Sequence, residues 1–448
     1  MTQSPQALCH ALIDAAKAAG ADAVDAMATE GSSLSIEVRE GKLEHAERSE
    51  GTDLGLRVFI GQRQAQVSSS DSRSETLQAM AERAVAMARE APEDPYTGLA
   101  SADQLAQNWD IEALELCDPS GEPAPEALQQ DALEAEAACA AIEGISQVQA
   151  AGASYGHHAI YLATSNGFSG GYQRTGRSLS CTGIAGSGSG MERDYDGDSR
   201  TFQNDLRSAE EIGRTAGERA VARLNARRPQ TGSYPVLFDE RVSSSLIGHL
   251  LSAANGAAIA RGSSWLQGSL DQQILPQTLS VIEDPHRARI SGSRPFDGEG
   301  LPTQRRAIIE NGVLTGWTLD LASARKLGLS STGNAARGVG TVPTPSNWNI
   351  ELSPGQQSRE QLIAEMGTGL LVTSLIGSTI NPNTGDYSRG ASGYWVENGE
   401  IAYPVNECTI AGNLRDMLKT LVPANDARTY LSRVVPSLLV EGMTLAGS

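Results

Sequence analysis

Side chains that could bind or react concentrate in residues 377–414. This stretch holds Asp386, Arg389, Tyr394, Trp395, Glu397 and Asn398 among turn-forming residues, with glycines at 377, 385, 390, 393, 399 and 412. Glycine is required where the backbone takes a positive φ or approaches another group closely. Such density at irregular spacing predicts a shaped loop, not a linker. Its tail, 393–405, reads as a hairpin: Tyr394-Trp395-Val396, a turn at Asn398-Gly399, then Ile401-Ala402-Tyr403. A loop of this kind backed by a hairpin is a frequent seat of binding or catalysis. Tyr394, Trp395 and Asn398 are expected to make surface contacts. Asp386, Arg389 and Glu397 serve there either as contacts or as structural hydrogen-bonding groups.

A second concentration lies on a helix expected over 241–260, with Asp239 as its N-cap. It carries Ser243, Ser244, Ser245 and, further on, His249 among apolar residues. A helical zinc site needs two ligands on one face and a carboxylate to activate water. Ser244, Ser245, Leu246, Ile247 and Gly248, which precede His249, supply neither. A solitary histidine in such a setting is ordinarily a core or cleft residue.

Other chemistries fail on spacing. His157 and His158 are adjacent, so on a strand they face opposite ways. His10, His45 and His286 have no His or Cys partner at ligand spacing. The run Asp194-Tyr-Asp196-Gly197-Asp198 begins like a calcium loop, but its glycine stands at the fourth position, and the twelfth would be Asp205. A solvated turn is expected instead. Gly152-Ala-Ser154-Tyr-Gly156 matches the serine-hydrolase elbow, yet its sequel reads as a strand where a helix is required. No phosphate-binding G-x-x-x-x-G-K-[ST] occurs.

The formal net charge of −19 and the scatter of basic residues, with Arg227-Arg228 and Arg305-Arg306 the paired ones, argue against direct nucleic-acid binding. Five cysteines without C-x-x-C fit neither a disulfide framework nor a cysteine zinc knuckle. No run approaches 18 apolar residues and no basic, apolar leader is evident, so a reducing cytoplasm without membrane insertion is expected.

The elements that must position these groups point to an α+β protein rich in antiparallel sheet. Two domains are expected, 1–230 and 231–448. The first has helices at 5–19 and 74–91, hairpins around 40–41 and 61–62, a loop-rich connection over 92–125, a helix at 126–142, strands over 145–190 and a helix at 210–227. The second opens with a strand at 235–238. It continues with the serine-bearing helix, a hairpin about Asn311-Gly312 and a short strand at 370–375 leading into the 377–414 block.

Several motifs together carry a resemblance: Arg294-Pro-Phe-Asp-Gly-Glu-Gly300, Asn311-Gly-Val-Leu-Thr-Gly316, Thr332-Gly-Asn334 and the block through Thr409-Ile-Ala-Gly-Asn-Leu414. The chain resembles the TldD/TldE (PmbA) family, and its TldE/PmbA branch, over nearly its whole length. That resemblance implies a two-chain protease that cleaves unfolded or flexible peptides. Its TldD-type subunit carries H-E-x-x-x-H on a helix and a later Cys as zinc ligands. Laid over this sequence, Ser244 and Ser245 fall on the first His and the Glu, and His249 on the second His. No Cys follows Cys408. The resemblance therefore implies a chain that binds no zinc itself and pairs with a TldD-type subunit that does. A homodimer in isolation is also open. Two other readings stay open: an independent hydrolase using His249, alone or with Asp297, Glu299 and Glu407, and a non-proteolytic regulator of the gyrase-modulator type.

Overall fold

The computed structural model describes residues 3–447. In the first half, helix α1 (Pro5–Ala18) is followed by strands β1 (Ala23–Arg39), β2 (Lys42–Ile60) and β3 (Arg63–Ser69) and helix α2 (Ser74–Glu90). After the loop-rich connection come α3 (Pro125–Ala140), β4 (Ile145–Thr164), β5 (Ser169–Ala185), β6 (Glu192–Arg200) and α4 (Ala209–Ala222). The six strands make one antiparallel sheet in the order β3-β2-β1-β4-β5-β6. The strands outrun their sequence signals. The hairpins expected around 40–41 and 61–62 share one continuous strand, β2, paired with β1 from Phe59 back to Lys42.

Period-two alternation explains how one long sheet carries four helices. Val24, Ala26 and Ala28 of β1 pack in the cluster that includes Leu8 and Leu12 of α1 and Leu77 and Val85 of α2. Leu34, Ile36 and Val38 of the same strand join Leu128 of α3 and Ile212 of α4. All six share parity and hence one face. The α3–α4 contact is close: a Cβ on Gly213 would stand 2.0 Å from the carbonyl oxygen of Ala135, so only glycine fits there. On the opposite face, Met27, Leu162 and Phe168 meet Phe296 from the second half.

That second half opens with β7 (Gly232–Phe238), α5 (Glu240–Ala253) and the short α6 (Gly256–Ala260), and ends in β8 (Gly369–Ile380), β9 (Asp386–Glu397), β10 (Glu400–Asn413) and β11 (Leu438–Ala446). The strands run in the order β10-β9-β8-β7-β11, and β11 also pairs with β10 from Thr409 to Ala411, which closes five strands into a barrel. Closure removes the sheet edges that would otherwise invite aggregation. Helix α5 packs Leu246, Ile247 and Leu250 into a core with Phe238, Val372, Tyr387 and Ile410.

Three expectations change. Residues 377–414 are largely strand: β9 and β10 form a long hairpin about Asn398-Gly399, and the loop is limited to 381–385. One of its glycines answers a close approach between strands, for a Cβ on Gly393 would meet the Leu371 carbonyl oxygen at 1.9 Å. The helix expected over 241–260 breaks at Asn255, whose side chain caps α6 through the Ala257 N–H at 3.0 Å and donates to the Pro345 carbonyl at 2.8 Å. The Asp194–Asp198 run is the strand β6, not a solvated turn, and its three aspartates are buried.

Candidate functional site: the cleft under Ser244 and Ser245

Helix α5 begins where Asp239 accepts the Arg241 N–H at 3.1 Å. The other Asp239 oxygen takes Arg359 at 2.8 Å. Capped in this way, the first turn aims Arg241 at Asp194 of β6, 2.9 Å away. Arg223, just past α4, approaches Asp194 at 3.5 Å and Glu192 at 3.4 Å, and donates to the Ser392 hydroxyl of β9 at 3.0 Å. Glu192 in turn accepts Asn406 Nδ2 of β10 at 2.7 Å. This chain of charges fastens the edge strand of the first sheet to the barrel.

Above it lies a cleft of about 910 Å³. Ser244 and Ser245 line it from α5, Thr373–Ile376 from β8, and Arg389 from β9; Met191, Arg193 and Tyr195 line the facing wall. Met191, Tyr195 and Ile376 are large apolar or aromatic side chains left exposed, at 54%, 60% and 72%. The cleft thus joins a polar, ion-paired floor to an apolar rim. The Ser245 hydroxyl donates to the Val242 carbonyl at 2.7 Å. Among the described residues, neither serine is hydrogen-bonded to an imidazole or carboxylate that could activate it.

His249 belongs to a neighbouring recess of about 390 Å³, with Ser252, Arg261, Trp265, Ile380 and Pro382. Helix periodicity alone does not separate it from the serines, since Ser245 and His249, four residues apart, lie only about 40° from each other around α5; the two nonetheless line different recesses. Tyr387 meets the His249 ring edge-on at 5.9 Å. Burial pushes the His249 pKa down, and nearby Arg389 adds to the effect. Its Nε2 is buried without a hydrogen-bond partner among the described residues. Burial also pushes the Tyr387 hydroxyl up to about 12. The pair is therefore neutral at physiological pH.

The donor set on α5 does not fit a catalytic zinc, for which three protein ligands are the norm. Among the described residues no three His, Cys, Asp or Glu side chains gather as a metal would require. Cys408 is buried and donates to the Ala391 carbonyl at 3.2 Å.

The remaining sequence candidates separate. Arg389 is at the cleft, with Nε on the Gly377 carbonyl at 2.7 Å. Asp386 accepts Thr384 Oγ1 at 2.6 Å and Asn413 Nδ2 at 2.9 Å, a bracing role at the 381–385 turn. Trp395, expected at the surface, is in the core at 4% exposure, with its indole N–H on Glu397 at 3.1 Å. Tyr394 is half-buried against Leu237, Leu362 and Val396, while Asn398 is exposed at the hairpin turn. Asp297, Glu299 and Glu407 do not line the His249 recess. Asp297 accepts the backbone N–H groups of Glu299, Leu301 and Ala335, and Glu407 pairs with Arg228. Ser154 of the elbow-like motif lies within β4, bonded to Ser178 at 2.6 Å. Sequence reasoning missed Asp194, Arg223 and Arg241. The alternation of aspartates at 194, 196 and 198 was the available signal, since it matches a strand with one charged face to be neutralised.

Comparison with known proteins follows this geometry. Models of the PmbA/TldA metallopeptidase match in three parts: domain 1 at 24–88, the central domain at 118–224 and the C-terminal domain at 231–447. Metalloprotease PmbA of Escherichia coli O157:H7 is 38% identical, covering 95% of this chain and 92% of its own length. A metalloprotease PmbA homolog of Haemophilus influenzae is 38% identical, covering 97% and 94%. Among solved structures, a Bacteroides thetaiotaomicron protein described as a candidate modulator of DNA gyrase superposes with a TM-score of 0.92 at 29% identity over 100% of both chains. TldE of Thermococcus kodakarensis shares the fold, with a TM-score of 0.85 at 20% identity over 98% of this chain and all of its own. With its serine-bearing helix and ion-paired cleft, the chain belongs to the PmbA/TldD metallopeptidase family.

Proposed function

We propose that this chain is the TldE-type, non-catalytic subunit of a cytoplasmic two-chain metalloprotease, and that its cleft docks the zinc-bearing TldD-type subunit or guides an unfolded peptide toward it. The observation that carries this reading is the make-up of α5. Where the TldD-type motif needs a ligand and a general base, Ser244 and Ser245 face the cleft, and His249 points into a different recess. Hydroxyls without a metal or base form no hydroxide nucleophile near pH 7. The exposed apolar rim at Met191, Tyr195 and Ile376 suits a polypeptide partner, because singly scattered apolar residues are ordinary but clustered ones mark interaction sites.

The test is metal analysis of the purified chain together with peptide cleavage, with and without a TldD-type subunit. Stoichiometric zinc in the partner only, and cleavage only by the pair, are expected. Cleavage by this chain alone, abolished by His249→Ala, would overturn the reading and restore the independent hydrolase.

A further inference from the structure

At the tip of the β9–β10 hairpin lies a second recess, of about 340 Å³, which shares no residue with the cleft. Its aromatic walls are Tyr234, Trp395 and Tyr403. The barrel places them together. Trp395 and Tyr403 are cross-strand partners on β9 and β10, and Tyr234 of β7 meets the Trp395 ring edge-on with centroids 5.0 Å apart. Among the described residues, the one charged group in the lining is Glu397, which is exposed. One of its oxygens accepts the Trp395 indole N–H at 3.1 Å, and among the described residues no Lys or Arg lies within 4 Å of it. Gln230, Thr368 and Asn398 complete the rim with neutral polar groups.

Aromatic faces attract cations through their quadrupole, and a carboxylate beside them adds a direct charge. The Tyr403 ring already shows this preference: the Arg227 guanidinium stands 4.9 Å from its centroid, and Arg227 lies outside the recess lining. We propose that this recess is a binding site for a basic side chain, the ammonium of Lys or the guanidinium of Arg, presented by an extended polypeptide. The cation enters the recess beside these rings and pairs with the free Glu397 oxygen, while its alkyl stem lies on Tyr234 and Tyr403. The Trp395 N–H holds the carboxylate in place before the ligand arrives, so little ordering remains to be done on binding.

The full chain labelled with 5-fluorotryptophan gives five ¹⁹F resonances, one for each tryptophan. The resonance moved by Glu397→Gln marks Trp395, because the amide keeps an acceptor for the indole N–H and removes only the charge. Nα-acetyl-lysine methylamide, its arginine counterpart and the neutral norleucine counterpart are titrated separately. Saturable movement of the Trp395 resonance by the two cations, little or none by norleucine, and about tenfold weaker binding in Glu397→Gln at unchanged Tm are expected. Equal response to norleucine, an undiminished response in Glu397→Gln, or no response to either cation overturns the proposal. A basic side chain could come from a partner subunit or from a free peptide. If adding the TldD-type subunit suppresses the lysine response, the subunit supplies the cation; if the response persists, the peptide does. The isolated chain is the material for the titration, so its failure leaves the cleft reading intact.

Discussion

Arg241 meets Asp194 at 2.9 Å, and through this contact the first turn of α5 is held against the edge strand of the other half of the molecule. Both side chains are largely withdrawn from water, and Asp194 has Arg223 as a second cation. Removing one partner of a buried pair leaves an uncompensated charge, which is costlier than the pair itself is stabilising. Asp194→Ala takes one anion from each of Arg241 and Arg223, which keep Asp239 at 3.5 Å and Glu192 at 3.4 Å, and is expected to cost about 2 kcal/mol. Differential scanning calorimetry should show a Tm several degrees lower. Asp53→Ala, an exposed aspartate on β2 that makes none of these ion pairs, serves as the control and should leave Tm nearly unchanged.

The cleft rim offers a separate test of function. Ile376 is 72% exposed, so Ile376→Glu should change stability by no more than about 0.5 kcal/mol. It places a charge amid Met191 and Tyr195. Association with a TldD-type subunit, or cleavage by the pair, is expected to weaken tenfold or more, as read by calorimetric titration or by kcat/KM. Wild-type values for both would remove the cleft from the proposed function.

His249 has a signed pH dependence. Its pKa is lowered in the folded chain, first by burial and then by Arg389. Between that lowered value and the ordinary one near 6.5, the unfolded chain binds the extra proton. The stability this residue contributes is therefore complete above the ordinary value and is lost as pH falls through the window below it. Wild type minus His249→Gln should show that loss in denaturation midpoints. Arg389→Leu should raise the His249 pKa in an NMR titration without restoring its ordinary value, because burial is the larger cause.

Glu299 has the opposite sign. Burial raises its pKa, and the neighbouring Asp297 carboxylate raises it further. A carboxyl that stays protonated in the fold but ionises in the unfolded chain stabilises below its ordinary range and destabilises progressively as pH rises toward the folded pKa. Glu299→Gln keeps an acceptor for the Leu321 N–H, which Glu299 now takes at 2.9 Å. The variant is expected to lose less stability than wild type between pH 5 and 9, measured as Tm against pH.

Much of the fold was legible in local sequence. The Asn398-Gly399 turn, the Asp239 cap, the apolar spacing of α1 and α2 and the alanine-rich run of α3 are short-range signals, and each is found where it was read. The family motifs were legible for the same reason, since they are contiguous runs. Legibility failed where a residue's environment comes from distant chain. Trp395 has a surface-like context of turn residues, yet Tyr234, some 160 positions earlier, covers it. The aspartates of β6 read as solvent-exposed until Arg223 and Arg241 arrive from two other elements.

By itself, the sequence determined the family, the α+β class and the chemical make-up of α5, which carries Ser243, Ser244 and Ser245 and, four residues on, His249. These are properties of residue identity and of spacing along one helix. Only the tertiary structure decided that Ser244 and Ser245 open onto one cleft while His249 turns into another, and that the 377–414 block is barrel wall with a single short loop. The reason is physical: the facing of a helix and the burial of a strand depend on which distant surfaces exclude water from them, and no local pattern encodes that.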